Sequence, residues 1–107
     1  MTIENVTDAN FREEVIAHQG SVVVVFEADW SGACHIVAPI IEDLARVFDG
    51  RIKVCKLDVT TNGGLVDAYG VRGLPTLLFF MNGKIVDSHT GIVSKEQLRM
   101  KLESLLT

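Results

Sequence analysis

The segment Trp30-Ser31-Gly32-Ala33-Cys34-His35 holds the residues whose types and spacing could do chemistry. It follows an apolar run and opens a predicted helix. Two thiols spaced as Ser31 and Cys34 are spaced would form a dithiol–disulfide couple across one helical turn. Here a hydroxyl holds the first position. A serine hydroxyl neither ionises as a thiol does nor forms a disulfide, so the dithiol cycle is closed to this motif. One thiol is left, Cys34, with two readings open. A monothiol can attack a mixed disulfide, for example with glutathione, or be capped by it. A half-buried structural thiol would be inert, because burial raises a thiol pKa.

The neighbouring residues narrow the chemistry further. Ser31 makes a good helix N-cap, worth about 1 kcal/mol over Ala. At i, i+3 it is also placed to accept a bond from the Cys34 thiol. As a hydrolytic nucleophile it lacks a carboxylate or second partner placed by any motif. Cys34 and His35 point in different directions on a helix, and no other Cys or His cluster exists, so no metal and no cofactor are expected. Cys55 sits mid-strand and reads as core, unpaired with Cys34. His18 and His89 read as surface residues, and Glu42, Asp43 and Asp49 as a solvated helix face.

The elements that must position this segment fit one domain over residues 1–107. The chain is 48% apolar and 22% charged, the composition of a folded domain. Its net charge of -4, with scattered Lys and Arg, argues against nucleic acid. The start Met1-Thr2-Ile3-Glu4 lacks the basic region of a signal peptide, and no apolar run is long enough for a membrane span. Two cysteines do not make a disulfide framework, so a reducing, cytoplasmic setting is expected.

Along the chain, Thr7 or Asp8 can cap a first helix carrying Phe11, Val15 and Ile16, ended by Gly20. Val22-Val23-Val24-Val25-Phe26 is short, β-branched and apolar throughout, which predicts a strand buried on both faces. A helix is predicted over residues 31–48, with Ile36, Ile40, Ile41, Leu44, Val47 and Phe48 inward and a kink at Pro39. A second strand covers 52–57. A short helix weakened by Gly63-Gly64 and capped by Thr60, Thr61 or Asn62 runs to Tyr69. A third strand covers 76–80. Asn82-Gly83 turns it into an antiparallel edge strand over 84–88. Ser94 and Gln97 form a capping box for a last helix, with Val93 and Leu98 as its staple and Leu98, Leu102, Leu105 and Leu106 as its stripe. This alternation of strands and helices, closed by a strand–strand–helix run, gives an α/β fold, a central mixed sheet with helices on both faces.

At this point the chain resembles the thioredoxin family over nearly its whole length. The resemblance rests on Phe26-x-Ala28-x-Trp30-x-Gly32-x-x-Cys34, Pro39, Lys56-Leu57-Asp58, Tyr69-Gly70-Val71-Arg72-Gly73-Leu74-Pro75-Thr76, Asn82-Gly83 and Gly91. It implies a thioredoxin-like fold, a cis Leu74–Pro75 bond and protein thiol–disulfide exchange. It also implies that Cys34 is the second, resolving cysteine and that Ser31 stands where the nucleophilic cysteine should be. Four more departures lie between Val25 and His35. Val25 replaces a buried aspartate, the proton acceptor whose partner Lys56 is present. Glu27 replaces a tryptophan found in many members, Ala33 a proline and His35 a lysine. Changes this numerous point to a site altered by natural change rather than by a single knockout.

By the same resemblance, Trp30, Gly32, Ala33, Gly73, Leu74, Pro75, Gly91 and Ile92 form a flat apolar patch. The backbone beside Pro75 would there pair with an extended protein or peptide substrate. The implied partners are such substrates, with thioredoxin reductase or glutathione, and the implied state is a monomer. Two functions follow: a monothiol exchange protein using Cys34, or a redox-independent binding module using the patch around Trp30 and Pro75.

Overall fold

The computed structural model describes residues 3–107. A five-stranded sheet runs in the order β1-β3-β2-β4-β5. Its strands are β1 (Ile3–Asn5), β2 (Ser21–Glu27), β3 (Ile52–Asp58), β4 (Thr76–Met81) and β5 (Lys84–Thr90). The first three are parallel to one another, β4 is antiparallel to β2, and β5 is antiparallel to β4. Among the described residues four helices cover the two faces: α1 (Arg12–Ile16), α2 (Gly32–Val47), α3 (Gly63–Ala68) and α4 (Lys95–Ser104).

The period-2 pleat of β2 divides the core. Val23 and Val25 face α2 and α4, packing with Val37, Ile41, Leu44, Phe79, Leu98 and Leu102. Val22, Val24 and Phe26 face the other way, onto Phe11, Val15, Cys55, Leu57 and Phe80. The unbroken apolar run 22–26 is thus explained by helices on both sides.

Several local signals are realised directly. Asn82 and Gly83 take φ of 51° and 82°, the paired positive angles of a tight hairpin turn. A Cβ at position 83 would lie 2.3 Å from the Ile16 carbonyl oxygen, so glycine is needed for space as well as for φ. Ser94 Oγ accepts from the Gln97 N–H at 3.0 Å, and Gln97 Oε1 accepts from the Ser94 N–H at 3.1 Å, completing the capping box.

Elsewhere the structure corrects the sequence reading. The first helix is a single turn with i→i+5 bonding, in which the Ala17 N–H donates to the Arg12 carbonyl at 2.8 Å. Thr7 Oγ1 accepts from the Ala9 and Asn10 N–H groups ahead of it. Asp8 serves another helix: its carboxylate accepts from the Gly64 and Leu65 N–H groups at 3.2 and 3.0 Å. Asn62 stands at the α3 N-cap position but makes no side-chain cap bond. Its amide instead ties the Asp8 N–H to the Asp58 carbonyl.

On α2 the buried stripe is Cys34, Val37, Ile41, Leu44 and Ala45, while Ile36 and Val47 are exposed. At 3.6 residues per turn those two lie roughly 110–130° round the helix from the centre of that stripe. Leu106 is exposed because α4 ends at Ser104, before the stripe reaches it. β5 extends to Thr90, with a register shift opposite Phe79 and Phe80 that re-phases the edge strand.

Candidate functional site

The site forms at one end of the sheet, where chain order and register bring three segments together. β2 ends at Glu27 and leads through residues 28–31 into α2. β4 begins at Thr76 opposite Phe26, directly after Pro75. β5 ends at Thr90 opposite Thr76, and the Gly91 N–H donates to the Pro75 carbonyl at 2.8 Å. Residues 30–34, 73–75 and 91–92 are therefore carried by three neighbouring strands.

Ser31 is the N-cap of α2, in an extended conformation with φ -89° and ψ 115°. Its Oγ accepts from the backbone N–H of Cys34 at 3.3 Å, so the hydroxyl serves the helix backbone rather than the thiol. Both residues are buried, Ser31 at 9% exposure and Cys34 at 6%. Trp30, just before them, is 72% exposed. Gly32 is exposed and Ala33 half-buried. His35 leaves the thiol and folds back over the preceding turn, where its Nε2 donates to the Asp29 carbonyl at 2.6 Å. That bond, with Ser31 N–H to the Ala28 carbonyl at 3.2 Å, pins the turn that presents Trp30.

On the neighbouring strands, the Leu74–Pro75 bond is cis. Pro75 is buried, Leu74 and Gly73 are half-buried, and Ile92 is exposed. A Cβ on Gly73 would lie 2.7 Å from Thr90 Cγ2. Thr76 Oγ1 donates to the Gly73 carbonyl at 2.6 Å, which fixes the approach to Pro75. The Leu74 N–H and carbonyl have no hydrogen-bond partner among the described residues. Such groups are free to pair with an added extended segment.

Cys55 lies on the opposite face of the sheet, and burial pushes its thiol up to about 11. Both cysteines are free. Among the described residues no cluster of His, Cys, Asp and Glu could hold a metal ion. A cavity of about 380 Å³ lies at the other end of the sheet, between Gly20, Asp49, Arg51 and Lys53, away from this site. The Lys53 ammonium there already pairs with Glu14 at 2.8 Å.

Beneath α2 lies a residue that the sequence reading named only as a departure from the family pattern, Glu27. Val25 is buried and pairs in register with Lys56 and Leu77. Glu27, two residues on and so on the same face, is half-buried. Burial holds its carboxyl above the ordinary range, Lys56 counters that, and Asp29, Asp58 and Glu42 add to it. Strand alternation alone would have put Glu27 on the Val25 face.

A family model described as Thioredoxin matches residues 2–104. A thioredoxin of Pseudomonas aeruginosa is 41% identical over 102 residues, covering 95% of this chain and 94% of its own. Thioredoxin 1 of Nostoc sp. is 40% identical over 101 residues, 94% of each chain. The chain belongs to the thioredoxin family. Its class of chemistry is thiol–disulfide exchange, and its class of partner is protein. No helix among the described residues is long and apolar enough to cross a membrane.

Proposed function

We propose that this chain is a thioredoxin-family exchange protein with a degenerate site, working through the single thiol of Cys34. The observation that carries the reading is Ser31 at the α2 N-cap, a hydroxyl where a dithiol couple needs sulfur, with Cys55 across the sheet from Cys34. In the proposed step the Cys34 thiolate attacks one sulfur of a disulfide. The Cys34–S bond forms, the old S–S bond breaks, and the displaced sulfur leaves as a thiolate. A second thiol from solution, such as glutathione, then attacks the mixed disulfide and returns Cys34. Trp30, Gly32, Ala33, Gly73, Leu74, Pro75, Gly91 and Ile92 would seat an extended protein segment, with the unpaired Leu74 backbone as its pairing edge. We place this activity in a cytoplasmic, monomeric, single-domain protein.

The contrast between a buried Cys34 and an exposed Trp30 favours a second reading, a redox-independent module that holds a protein partner on the same patch. Insulin-type disulfide reduction with thioredoxin reductase tests the lost dithiol cycle, and appreciable turnover would refute it. Thiol titration of the native protein separates the two readings. Fast reaction of Cys34 near neutral pH removes the pure binding module. Reaction only after denaturation removes the monothiol.

A further inference from the structure

Residues 28–31 turn the chain from the end of β2 into α2, and Trp30 among them is 72% exposed. So exposed a ring has few contacts of its own to orient it, and the turn beneath must do so. The backbone ties of that turn are long. Ser31 N–H reaches the Ala28 carbonyl at 3.2 Å and His35 N–H the Ser31 carbonyl at 3.3 Å. The bond from the Cys34 N–H to Ser31 Oγ is also 3.3 Å. All three lie at or past the long end of the ordinary N–H···O range. The short tie comes from a side chain: His35 Nε2 stands 2.6 Å from the Asp29 carbonyl oxygen. A carbonyl only accepts, so Nε2 carries the proton, and in the neutral ring Nδ1 is bare. Helix geometry explains the reach. Cα–Cβ bonds tilt toward a helix N-terminus, so a residue in the first turn of α2 points back over the segment before it. A lysine at this position would also offer a donor, but on a long flexible stem. The imidazole offers it on a short rigid ring, at a smaller cost in side-chain freedom.

We propose that His35 is the positioning residue of the partner-binding face. It acts through the Asp29 carbonyl, closing the 28–31 turn and holding Trp30 in one orientation for an incoming protein segment. The inference rests on the proposed place of Trp30 in that face, whereas closure of the turn stands apart from it. A hydrogen bond of ordinary net strength favours the closed turn over the open one by about two- to tenfold. The apparent affinity for a partner scales with the closed fraction, because the ordering is then done before the partner arrives. Cys34 is buried while His35 is exposed and turned back over the loop, so this role is separable from chemistry at the sulfur.

Trp30 is the only tryptophan, so its fluorescence reports this turn alone. The test compares the wild type with His35→Gln, which keeps a donor at the Nε2 position, and His35→Phe, which keeps a ring and loses the donor. Acrylamide quenching of Trp30 and nitrogen relaxation of the turn's amides should match the wild type in His35→Gln. In His35→Phe, quenching rises and the Trp30 amide gains fast motion. A second readout is the rate at which Cys34 enters a mixed disulfide with insulin, divided by its rate with hydroxyethyl disulfide. That ratio falls about two- to tenfold in His35→Phe and holds in His35→Gln. In a Trp30→Ala background, His35→Phe lowers it no further. Wild-type quenching and relaxation in His35→Phe overturn the proposal, as does a His35→Gln protein as altered as His35→Phe. Altered Trp30 motion with an unchanged rate ratio overturns the docking role given to that motion. A Cys34 that joins neither disulfide defeats the monothiol reading instead, and the Trp30 signals then decide on His35. Should a variant not fold, the ring nitrogen shifts of the wild type decide: the neutral His35 ring carries its proton on Nε2, and a proton on Nδ1 overturns the bond.

Discussion

Replacing Ser31 by alanine tests what the hydroxyl at the site is for. Among the described residues it has one partner, the backbone N–H of Cys34 at 3.3 Å. Loss of a serine N-cap typically costs about 1 kcal/mol, and up to about 2. Here the orphaned donor belongs to a residue only 6% exposed, so water is a poor substitute and the upper half of that range applies. We expect Ser31→Ala to lose about 1.5 kcal/mol. In a domain of this size that lowers Tm by roughly 6 °C. Urea unfolding should show a lower midpoint at unchanged slope, since the change removes a bond without altering the surface exposed on unfolding. Ser31→Asp should recover most of the loss, because a carboxylate is an equal cap and favours a helix N-terminus. Ser31→Cys should recover little, sulfur being a weak acceptor. Amide hydrogen exchange at Cys34 gives the local reading and should quicken in Ser31→Ala. A Ser31→Ala protein within about 0.3 kcal/mol of the wild type, with unchanged exchange at Cys34, would refute the capping role.

Three further outcomes are expected. Asp8→Ala should cost about 1 kcal/mol in urea unfolding and speed exchange at Gly64 and Leu65, because the α3 cap is supplied from Asp8. Lys101 holds the Asp87 carboxyl below its ordinary value. Stability from that pair is therefore complete above the unfolded carboxylate range and lost as pH falls through the lower folded value. Asp87→Asn should be less stable than the wild type near neutral pH by under about 1 kcal/mol, the pair being partly exposed, and the difference in urea midpoints should vanish in strong acid. With its thiol pushed up to about 11, Cys55 should resist iodoacetamide near neutral pH in the folded protein and react once urea unfolds it, as peptide mapping will show.

What the sequence made legible is what short-range physics decides. Asn82-Gly83 names its own turn, Ser94 and Gln97 bond each other across one helical turn, and the run 22–26 leaves no polar face for water. What it hid depends on distant neighbours. Asp8 is followed by a helix that it could cap locally, yet its carboxylate meets amides more than fifty residues away. Ile36 and Val47 look like core by type, and only the phase of α2 against the sheet turns them outward. At the site, the missing sulfur and the N-cap were readable from residue types alone. The burial of Glu27 was not, because it depends on where α2 lies across the end of β2.

The separation of the two thiols by the sheet has a consequence for bookkeeping of partners. With Cys34 under one face and Cys55 under the other, the native chain has a disulfide valency of one. Under the proposed monothiol reading, a partner captured at Cys34 would meet no internal sulfur to expel it. The adduct would last until a thiol arrived from solution, so its lifetime would be set by the reducing strength of the surroundings rather than by the protein. A two-sulfur site works as a shuttle. A one-sulfur site on the same scaffold would work as a latch, released only by thiols from outside.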